Sequence, residues 1–291
     1  MIVPNTTQTR GDVSRHYDEL DDFYREIWGE HVHHGLWVTG RESHRTAVRQ
    51  LVDVVAAEAE IDAGDDVLDV GSGYGAAARQ IALDYDAHVT AITISPAQHG
   101  YALARVLPAH NPSYLLGDWM QNDLPAERFD AVYAIECASH LHDVGHFMRE
   151  VVRVLRPGGR VVVCAWTASE QVSPRNVRYL LEPICREGRL AHLSTATEYV
   201  DAMEKAGALL TEFRDLTSRV YRTWPVAIRR TARALLTHPH FLRYLLDARS
   251  GQRVFLLTMF RIWLAYRLGA MRYCLLKGYR PRDDRASANL A

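Results

Sequence analysis

Apolar and polar positions between residues 65 and 166 follow two alternating patterns. Short, mostly apolar runs occur at 67–70, 88–94, 113–116, 129–135 and 160–166, as in strands that are buried on both faces. The intervening stretches at 76–84, 96–106 and 144–155 are predicted to be helices, and a further helix is predicted at about 45–59. A Pro-Gly-Gly sequence at 157–159 predicts a turn before the last of these strands. This alternation predicts a parallel sheet covered by helices on both faces.

The alternation weakens after residue 166. Residues 167–195 are predicted to be an inserted helical segment, 198–205 a helix that ends at Gly207, and 209–220 a strand. Residues 225–268 combine apolar side chains with many arginines and are predicted to be helical, and 270–279 a last strand. The predicted class is α/β, with an N-terminal lid segment at 1–44 and a Rossmann-like core at 45–166. Residues 167–291 supply the remaining core strands and an inserted helical substrate lid.

The composition is typical of a folded cytoplasmic protein. The 291 residues are 48% hydrophobic, and a formal net charge of −1 argues against nucleic-acid binding through a bulk basic field. The most apolar stretch, 254–276, is interrupted by Arg261, Arg267 and Arg272, so we expect no stable membrane insertion. No secretion-signal pattern opens the sequence. Its four scattered cysteines form no CxxC pair and predict neither a disulfide framework nor a zinc site.

A glycine-rich turn connects the first predicted strand to the helix that follows it. The sequence from 67 to 75 reads VLDVGSGYG, with glycines at 71, 73 and 75. Glycine permits the backbone angles of such a turn and leaves no Cβ between the main chain and a ligand. The helix start offers free N–H groups at the carboxyl end of the sheet, where open α/β folds bind ligands. The GxGxG spacing differs from the GxGxxG fingerprint of dinucleotide-binding proteins.

Asp69 and the glycines that follow it resemble motif I, [DE]xGxGxG, of the class I S-adenosylmethionine (SAM)-dependent methyltransferases. The resemblance implies SAM as the cofactor and a Rossmann-like class I methyltransferase fold, with a mainly parallel seven-stranded sheet and helical lid insertions. It implies that Asp69 orients the turn and the amino group of the methionyl moiety. It also implies that Gly71, Gly73 and Gly75 line the cofactor.

Two downstream segments extend this resemblance. In the family an acid usually ends the second strand and binds the ribose hydroxyls, but here Thr93 stands at that position. The segment TISPAQ, which ends at Gln98, resembles the T-x-S-P-x-Q of sterol, tocopherol and cyclopropane-forming methyltransferases, in which the hydroxyl and Gln98 would serve instead. Asp118 resembles the acceptor for the exocyclic amine of adenine, with Trp119 beside the ring. The alternative roles are structural, an N-cap at Ser95 and a turn aspartate at 118.

The resemblance covers the chain from about residue 17 to 280 and is densest at 65–166. Residues 17–18, 24, 28–29 and 33–37 look like the N-terminal segment of γ-tocopherol-methyltransferase-like and terpenoid C-methyltransferase enzymes, and 266–273 look like their C-terminal part. By resemblance to the lid tyrosine of this group, Tyr17 would contact the sulfonium through its ring. A core aromatic on an amphipathic helix is the alternative.

Methyl transfer needs an acceptor held behind the methyl group and usually a base for the released proton. The loop at 136–143 leaves the carboxyl end of a central strand and offers Glu136 and His140 as catalytic residues. His140 is favoured for an oxygen or nitrogen acceptor. Glu136, with a pKa raised by burial, would suit proton removal from a methylated carbocation. The histidines at 31, 33 and 34 lack an accompanying carboxylate pair, so no metal site is predicted.

Aromatic residues of the two lid segments are predicted to bind a hydrophobic acceptor; they are Tyr24, Trp37, Trp224 and Tyr244. Arginines within 224–267, such as Arg229 and Arg230, would hold an anionic group such as a diphosphate or belong to a solvated helix face.

The sequence therefore predicts a SAM-dependent methyltransferase that acts on a small hydrophobic specialised metabolite, such as a terpenoid or an antibiotic precursor. The resemblance favours C-methylation of an isoprenoid or prenylated compound over O- or N-methylation. A SAM-binding cyclase on the same fold is the alternative, and the retained site residues argue against it. An NAD(P)-dependent oxidoreductase is disfavoured by the glycine spacing. The expected partner is a small hydrophobic acceptor and no nucleic acid, and a homo-oligomer is compatible with the sequence.

Overall fold

Seven strands form one sheet in the computed structural model, which describes residues 1–4, 8–107, 110–237 and 253–282, without the side chains of Arg10 and of 253–256. The strands are β1 (Asp66–Val70), β2 (His88–Thr93), β3 (Ser113–Leu116), β4 (Phe129–Ile135), β5 (Leu155–Ala168), β6 (Leu209–Asp215) and β7 (Met271–Tyr279). Their order is β3-β2-β1-β4-β5-β7-β6, and among these seven strands only β7 runs opposite to the other six. The predicted mainly parallel seven-stranded sheet is confirmed.

Helices alternate with the strands and also precede them. They are α1 (Arg10–Glu19), α2 (Asp21–Ile27), α3 (His44–Glu58), α4 (Ala76–Asp84), α5 (Pro96–Leu103), α6 (Val144–Val154), α7 (Pro174–Asn176), α8 (Glu182–Glu187), α9 (Ala196–Lys205), α10 (Thr217–Val220), α11 (Thr223–Thr237) and α12 (Arg253–Arg267). A π-helical turn at Val177–Leu181 joins α7 to α8. Side chains cap the starts of α3 and α5: Ser43 accepts a hydrogen bond from Thr46 N, and Ser95, followed by Pro96, accepts one from Gln98 N.

Successive strand residues pack on opposite faces of the sheet, which explains the continuous apolar runs. Val67 belongs to the core that contains Leu51 of α3 and Ile81 of α4, whereas the next residue, Leu68, belongs to the core that contains Phe147 of α6. Full burial of each such side chain contributes about 1.5–3 kcal/mol. The sheet is therefore held between two helical layers.

The lid is built from helices at both ends of the chain. Helix α11 packs against α12 and α2, α12 packs against α8, and α1 packs against α5. These helices cover the carboxyl ends of the parallel strands, because residues from all of them face one cavity there. Within the described ranges, no helix combines the length and apolar character needed to cross a lipid bilayer.

Two strand boundaries differ from the sequence predictions. The turn predicted at 157–159 lies inside β5, because Gly158 N donates to Arg280 O and Arg280 N donates to Gly159 O, both at 2.8 Å. The strand predicted at 209–220 ends at Asp215, where a carboxylate oxygen accepts from Thr217 N at 2.8 Å and the short helix α10 begins. Neither difference changes the sheet order.

Candidate active site

The carboxyl ends of β1, β2 and β4 open into a cavity of about 560 Å³. Helices α1, α2, α8, α11 and α12 each contribute side chains to its lining. Most of the predicted site residues line this cavity; they are Tyr17, Tyr24, Gly71, Gly73, Thr93, Gln98, Asp118, Trp119, Glu136, His140 and Trp224. The fold thus brings together the candidate cofactor, acceptor and catalytic positions.

Three predicted site residues are not on the lining, and Tyr244 lies outside the described residues. The prediction that Trp37 contacts the acceptor is wrong for this structure, because its side chain is buried elsewhere and its indole N–H donates to Thr223 Oγ1 at 3.2 Å. Asp69 lies beneath the glycine turn at the end of β1, and Gly75 is the last glycine of the turn.

The three glycines of the turn have positive φ angles of 78°, 53° and 71°, but they meet different surroundings. A Cβ on Gly71 would collide with the side chain of Cys137, and one on Gly75 would collide with the ring of Tyr114. A Cβ on Gly73 would meet no protein atom nearer than 3.9 Å. Gly73 therefore presents its main chain to the cavity, whereas Gly75 is required for packing and does not line the site as predicted.

Asp69 is buried at the end of β1, beneath the turn. One of its carboxylate oxygens, Oδ2, has no hydrogen-bond partner among the residues that the structure describes. Burial raises the pKa of Asp69 to about 7, against a smaller lowering by the Tyr133 hydroxyl. An acid kept in this state is suited to a cationic or hydrogen-donating ligand, because a buried unpartnered oxygen is costly until it finds a donor.

The residues predicted to hold the nucleoside are fixed by local hydrogen bonds. Thr93 Oγ1 donates to Gln98 Oε1 at 2.9 Å, which leaves the amide nitrogen of Gln98 as the group that faces Gly73. Asp118 caps the 3₁₀ turn at Trp119–Gln121, where Oδ1 accepts from Met120 N at 3.0 Å. Trp119 is nearly fully buried and lines the cavity beside Asp118.

His140 is held between a backbone carbonyl and a tyrosine. Its Nδ1 lies 2.9 Å from Arg189 O, and because a carbonyl only accepts, Nδ1 carries the proton. Nε2 of the neutral ring therefore accepts from the hydroxyl of Tyr17, at 3.0 Å. Desolvation lowers the pKa of His140, so the ring is neutral at neutral pH. Besides the sulfonium contact predicted for its ring, Tyr17 thus contacts the candidate base.

The carboxylate of Glu136 accepts hydrogen bonds from four groups. His34 donates to it from its main-chain N at 2.7 Å and from Nδ1 at 3.0 Å, Trp166 Nε1 donates at 2.7 Å, and the hydroxyl of Tyr273 donates at 2.8 Å. A carboxylate offers about four lone-pair sites, so these donors use them all. The indole N–H of Trp224 donates to Nε2 of His34 at 2.8 Å, which fixes His34 as the neutral Nδ1–H tautomer.

The pKa of Glu136 corrects the sequence prediction. Burial acts to raise it, but the interactions with His34, and to a smaller extent His33, outweigh burial and lower the pKa to about 2. With its charge stabilised and its lone pairs occupied, Glu136 is an ionised group and not the general base that a raised pKa would have made it.

Several cavity residues were missed by the sequence analysis as members of the site. Trp28 and Trp166 line the cavity, and the ring of His34 lies 5.2 Å from that of Trp166 and 5.4 Å from that of Trp224. The dense aromatic and histidine content of residues 11–40 was a signal for Trp28 and His34. Nothing local marks Trp166, which reaches Glu136 only through the pairing of β4 with β5.

The predicted anionic subsite finds no support in the described residues, because no arginine or lysine among them lines the cavity. Arg230 instead donates to the main-chain oxygen of Glu26 at 3.0 Å. No group of three or more histidine, cysteine or acidic side chains that could hold a metal occurs in the described part of the chain.

A family comparison identifies the family of the chain. The family model described as mycolic acid cyclopropane synthetase matches residues 4–235, which is more than half of the chain. The chain belongs to the mycolic acid cyclopropane synthetase family. Members and relatives of this family are SAM-dependent methyltransferases, and this chain is a SAM-dependent methyltransferase of the tocopherol, sterol and cyclopropane synthase group.

Individual relatives span most of the chain. Tocopherol O-methyltransferase of Arabidopsis thaliana is 27% identical over 300 residues, covering 95% of this chain and 84% of that protein. The 27-O-demethylrifamycin SV methyltransferase of Amycolatopsis mediterranei is 30% identical over 229 residues, covering 77% and 84%. The crystal structure of mycolic acid cyclopropane synthase CmaA1 with SAH and CTAB has the same fold, with a TM-score of 0.81, 19% identity, and coverage of 94% and 99%.

The family uses SAM, and the cavity fits this cofactor. The main chain at Gly73 is open to the cavity, and Asp69 Oδ2 is a buried oxygen without a donor. The predicted adenine, ribose and methionyl positions lie in the order Asp118, Thr93 and Asp69, at the ends of β3, β2 and β1, which are neighbours in the sheet. Thr93 and Asp118 line the cavity, whereas Asp69 lies beneath the turn, so the cavity side chains that could contact a nucleoside directly are those at the ends of β2 and β3.

Proposed function

We propose that this methyltransferase transfers the methyl group of SAM to a hydroxyl-bearing, largely hydrophobic small molecule, with His140 as the general base. The observation that carries the proposal is the hydrogen-bonded state of His140. Its Nδ1–H donates to the Arg189 carbonyl, so Nε2 carries the lone pair, which accepts from the Tyr17 hydroxyl and can take a proton from a group that replaces that hydroxyl.

The chemistry asks little more of the protein. When bound, SAM supplies an electrophilic methyl group on a sulfonium that leaves as a neutral thioether. The acceptor hydroxyl replaces Tyr17 as the donor to Nε2, and His140 takes its proton as the oxygen becomes nucleophilic. The Arg189 carbonyl then stabilises the imidazolium that forms, because it accepts from Nδ1 in both protonation states.

Two further observations support a hydroxyl over an isoprenoid alkene. C-methylation of an alkene requires a base for the resulting carbocation, and Glu136, the residue assigned to that step, has no free lone pair. One relative is named for a 27-O-demethyl substrate. The apolar side chains of Ile184, Leu190 and Ile262 on the cavity wall suit a hydrophobic acceptor.

The test uses a prenylated hydroquinone and the same compound with both hydroxyls blocked as methyl ethers. We expect SAM-dependent SAH release and a methylated product only with the free hydroquinone. His140→Ala should lower the turnover by about 10²–10⁴-fold and leave SAM affinity within about threefold by calorimetry. His142→Ala, an exposed histidine at the same cavity, is the matched control and should retain turnover.

Methylation of the blocked compound, or full turnover by His140→Ala, would contradict the proposal. Methylation of a ring carbon of the free hydroquinone would contradict oxygen as the methylated atom but not His140 as the base. The same proton transfer from the hydroxyl activates the carbon beside a phenolate. Nuclear magnetic resonance of the product separates an O-methyl group from a C-methyl group.

A further inference from the structure

The charge of Glu136 has no arginine or lysine partner among the described residues. Its four hydrogen-bond donors are a main-chain amide, an indole, a phenol and the neutral imidazole of His34. No arginine or lysine of the described residues lines the cavity. Hydrogen bonds from neutral groups stabilise the ionised form of a carboxylate but leave its net charge in place.

This charge lies in an environment that strengthens its electrostatic effect. The side chain of Glu136 is only 7% exposed, and the rings of Trp166, Trp224 and Tyr273 surround His34, its main donor. Coulomb interactions are much stronger in such surroundings than in water. A buried negative charge is costly to keep without a cation, so its retention at the cavity indicates a positively charged ligand.

The topology places Glu136 at the sulfonium end of the nucleoside. The adenine and ribose positions, Asp118 and Thr93, follow β3 and β2, which lie on one side of β1. Glu136 follows β4, which lies on the other side of β1, and the next residue, Cys137, abuts Gly71 of the turn. A nucleoside that extends from β3 across β2 to β1 therefore presents its methionyl end, with the sulfur, toward Glu136.

We propose that Glu136 recognises the positive charge of the sulfonium, so that the cavity binds cationic SAM more tightly than the neutral product S-adenosylhomocysteine (SAH). The two ligands differ by one methyl group and one unit of charge, and only the charge interacts with a carboxylate over a distance. Loss of that charge during transfer weakens the hold on the product and favours its release.

The test compares ligand affinities in the binary complexes, without any acceptor, so its outcome is independent of the proposed hydroxyl substrate. Calorimetry measures the affinities of the wild-type protein and of Glu136→Gln for SAM, SAH and sinefungin. Sinefungin carries an ammonium group in place of the sulfonium. We expect the SAM-to-SAH affinity ratio to fall about tenfold in the variant, a change expected for loss of one partly buried charge interaction. In the variant, sinefungin should bind more weakly, as SAM does, whereas the affinity for SAH should stay within about threefold of the wild-type value.

Two control variants separate charge from structure. Trp166→Phe removes one donor to Glu136 but keeps its charge, and should preserve the SAM-to-SAH ratio. Asp118→Asn, at the adenine position common to both ligands, should weaken both equally. An unchanged ratio in Glu136→Gln would overturn the proposal, and so would an equal loss for SAM and SAH, which would assign Glu136 a purely structural role.

Discussion

Glu136 and His140 lie on the same loop, four positions apart, and their hydrogen-bond partners give them opposite chemistry. Glu136 accepts from donors on four sides and stays ionised, with a pKa of about 2. His140 donates to one carbonyl and keeps an accepting nitrogen toward the cavity. The type of a side chain limits the reactions in which it can take part, and its hydrogen-bond partners determine its protonation state.

Tyr17 adjusts the proton affinity of His140. Its hydroxyl donates to Nε2, which stabilises the neutral ring, and desolvation also lowers the pKa of His140 below the ordinary value of 6.5. A base must be unprotonated, so kcat/KM should fall on the acid side of a pKa below 6.5. In Tyr17→Phe the neutral form loses a hydrogen bond, and this acid limb should move to higher pH, as a pH–rate profile would show.

Tyr24→Phe is the matched control for that change. The Tyr24 ring lies 5.5 Å from the Tyr17 ring, but its hydroxyl contacts His16 Nε2. Its acid limb should coincide with that of the wild type. An unmoved limb in Tyr17→Phe would show that the tyrosine hydroxyl does not act on the base.

The individual residues of the site could be named from the sequence better than their states. His140, Glu136, Gln98 and the others on the cavity lining stand in local motifs that follow strand ends. The pKa of Glu136 was predicted in the wrong direction because its side-chain donors come from 30 to 137 residues away in the sequence. Such contacts depend on the assembled sheet and lid, which no local pattern specifies.

At the scale of one element, the three glycines of the turn have different structural roles. Alternate glycines suggest one shared purpose, yet Gly71 and Gly73 line the cavity, whereas Gly71 and Gly75 make room for neighbouring side chains. Tyr114 of β3, two strands away from β1, is what requires Gly75. Motif spacing therefore predicted the turn and its ligand class but not which positions touch that ligand.

Alanine at two of these positions should produce opposite phenotypes. Gly75→Ala places a Cβ in the Tyr114 ring at a positive φ, and should cost about 2–4 kcal/mol of unfolding free energy in urea titrations. Gly73→Ala brings its Cβ no closer than 3.9 Å to a described protein atom, and should cost only about 1–2 kcal/mol for its backbone conformation. Its main defect should be weaker SAM binding in calorimetry. Equal stability of the two variants would contradict this division.

At the scale of the whole molecule, several histidines are held neutral by burial. Desolvation lowers the pKa of His16 to about 3, of His31 to about 2, and of His44 and His192 to about 4. They are distributed over α1, the loop after α2, the start of α3 and the segment before α9. In the unfolded chain each of them would take up a proton near its ordinary value of 6.5.

This distribution makes the stability of the protein depend on pH. Below pH 6.5 the unfolded state binds more protons at these histidines than the folded state does, so unfolding becomes easier as pH falls. Each contributes up to about 1.4 kcal/mol per pH unit between 6.5 and its folded pKa. Asp69 acts in the opposite direction, since its pKa is raised to about 7, but it is one group against four.

Urea denaturation of the ligand-free protein at pH 7.0 and 5.5 measures the effect. We expect a lower unfolding free energy at pH 5.5. In His192→Gln the difference between the unfolding free energies at the two pH values should be smaller, because one of the histidines with a lowered pKa is removed. Equal or greater stability at pH 5.5 would contradict the lowered pKa values.

The fold as a whole could be predicted further than the site. Between residues 65 and 166, apolar runs that end at glycines indicate strands and helices through local periodicity. The strands and helices predicted there are found close to their predicted positions. The extended start of β5 and the early end of β6 depend on pairing with β7 and its continuation, which lie more than 50 residues away. Trp37 was assigned to the acceptor site as an aromatic residue of the N-terminal lid segment, whereas in the structure it is buried away from the cavity and donates to Thr223.

The tryptophans of this protein are concentrated at the cavity. Four of the six, Trp28, Trp119, Trp166 and Trp224, line it. Most of the indoles that contribute to the intrinsic emission of the protein therefore lie beside the place where a ligand would bind. Adenine stacked beside Trp119 would quench one of them, while an acceptor under the lid would shift the spectrum of the other three. Occupancy of the two halves of the site can thus be followed optically, without a label.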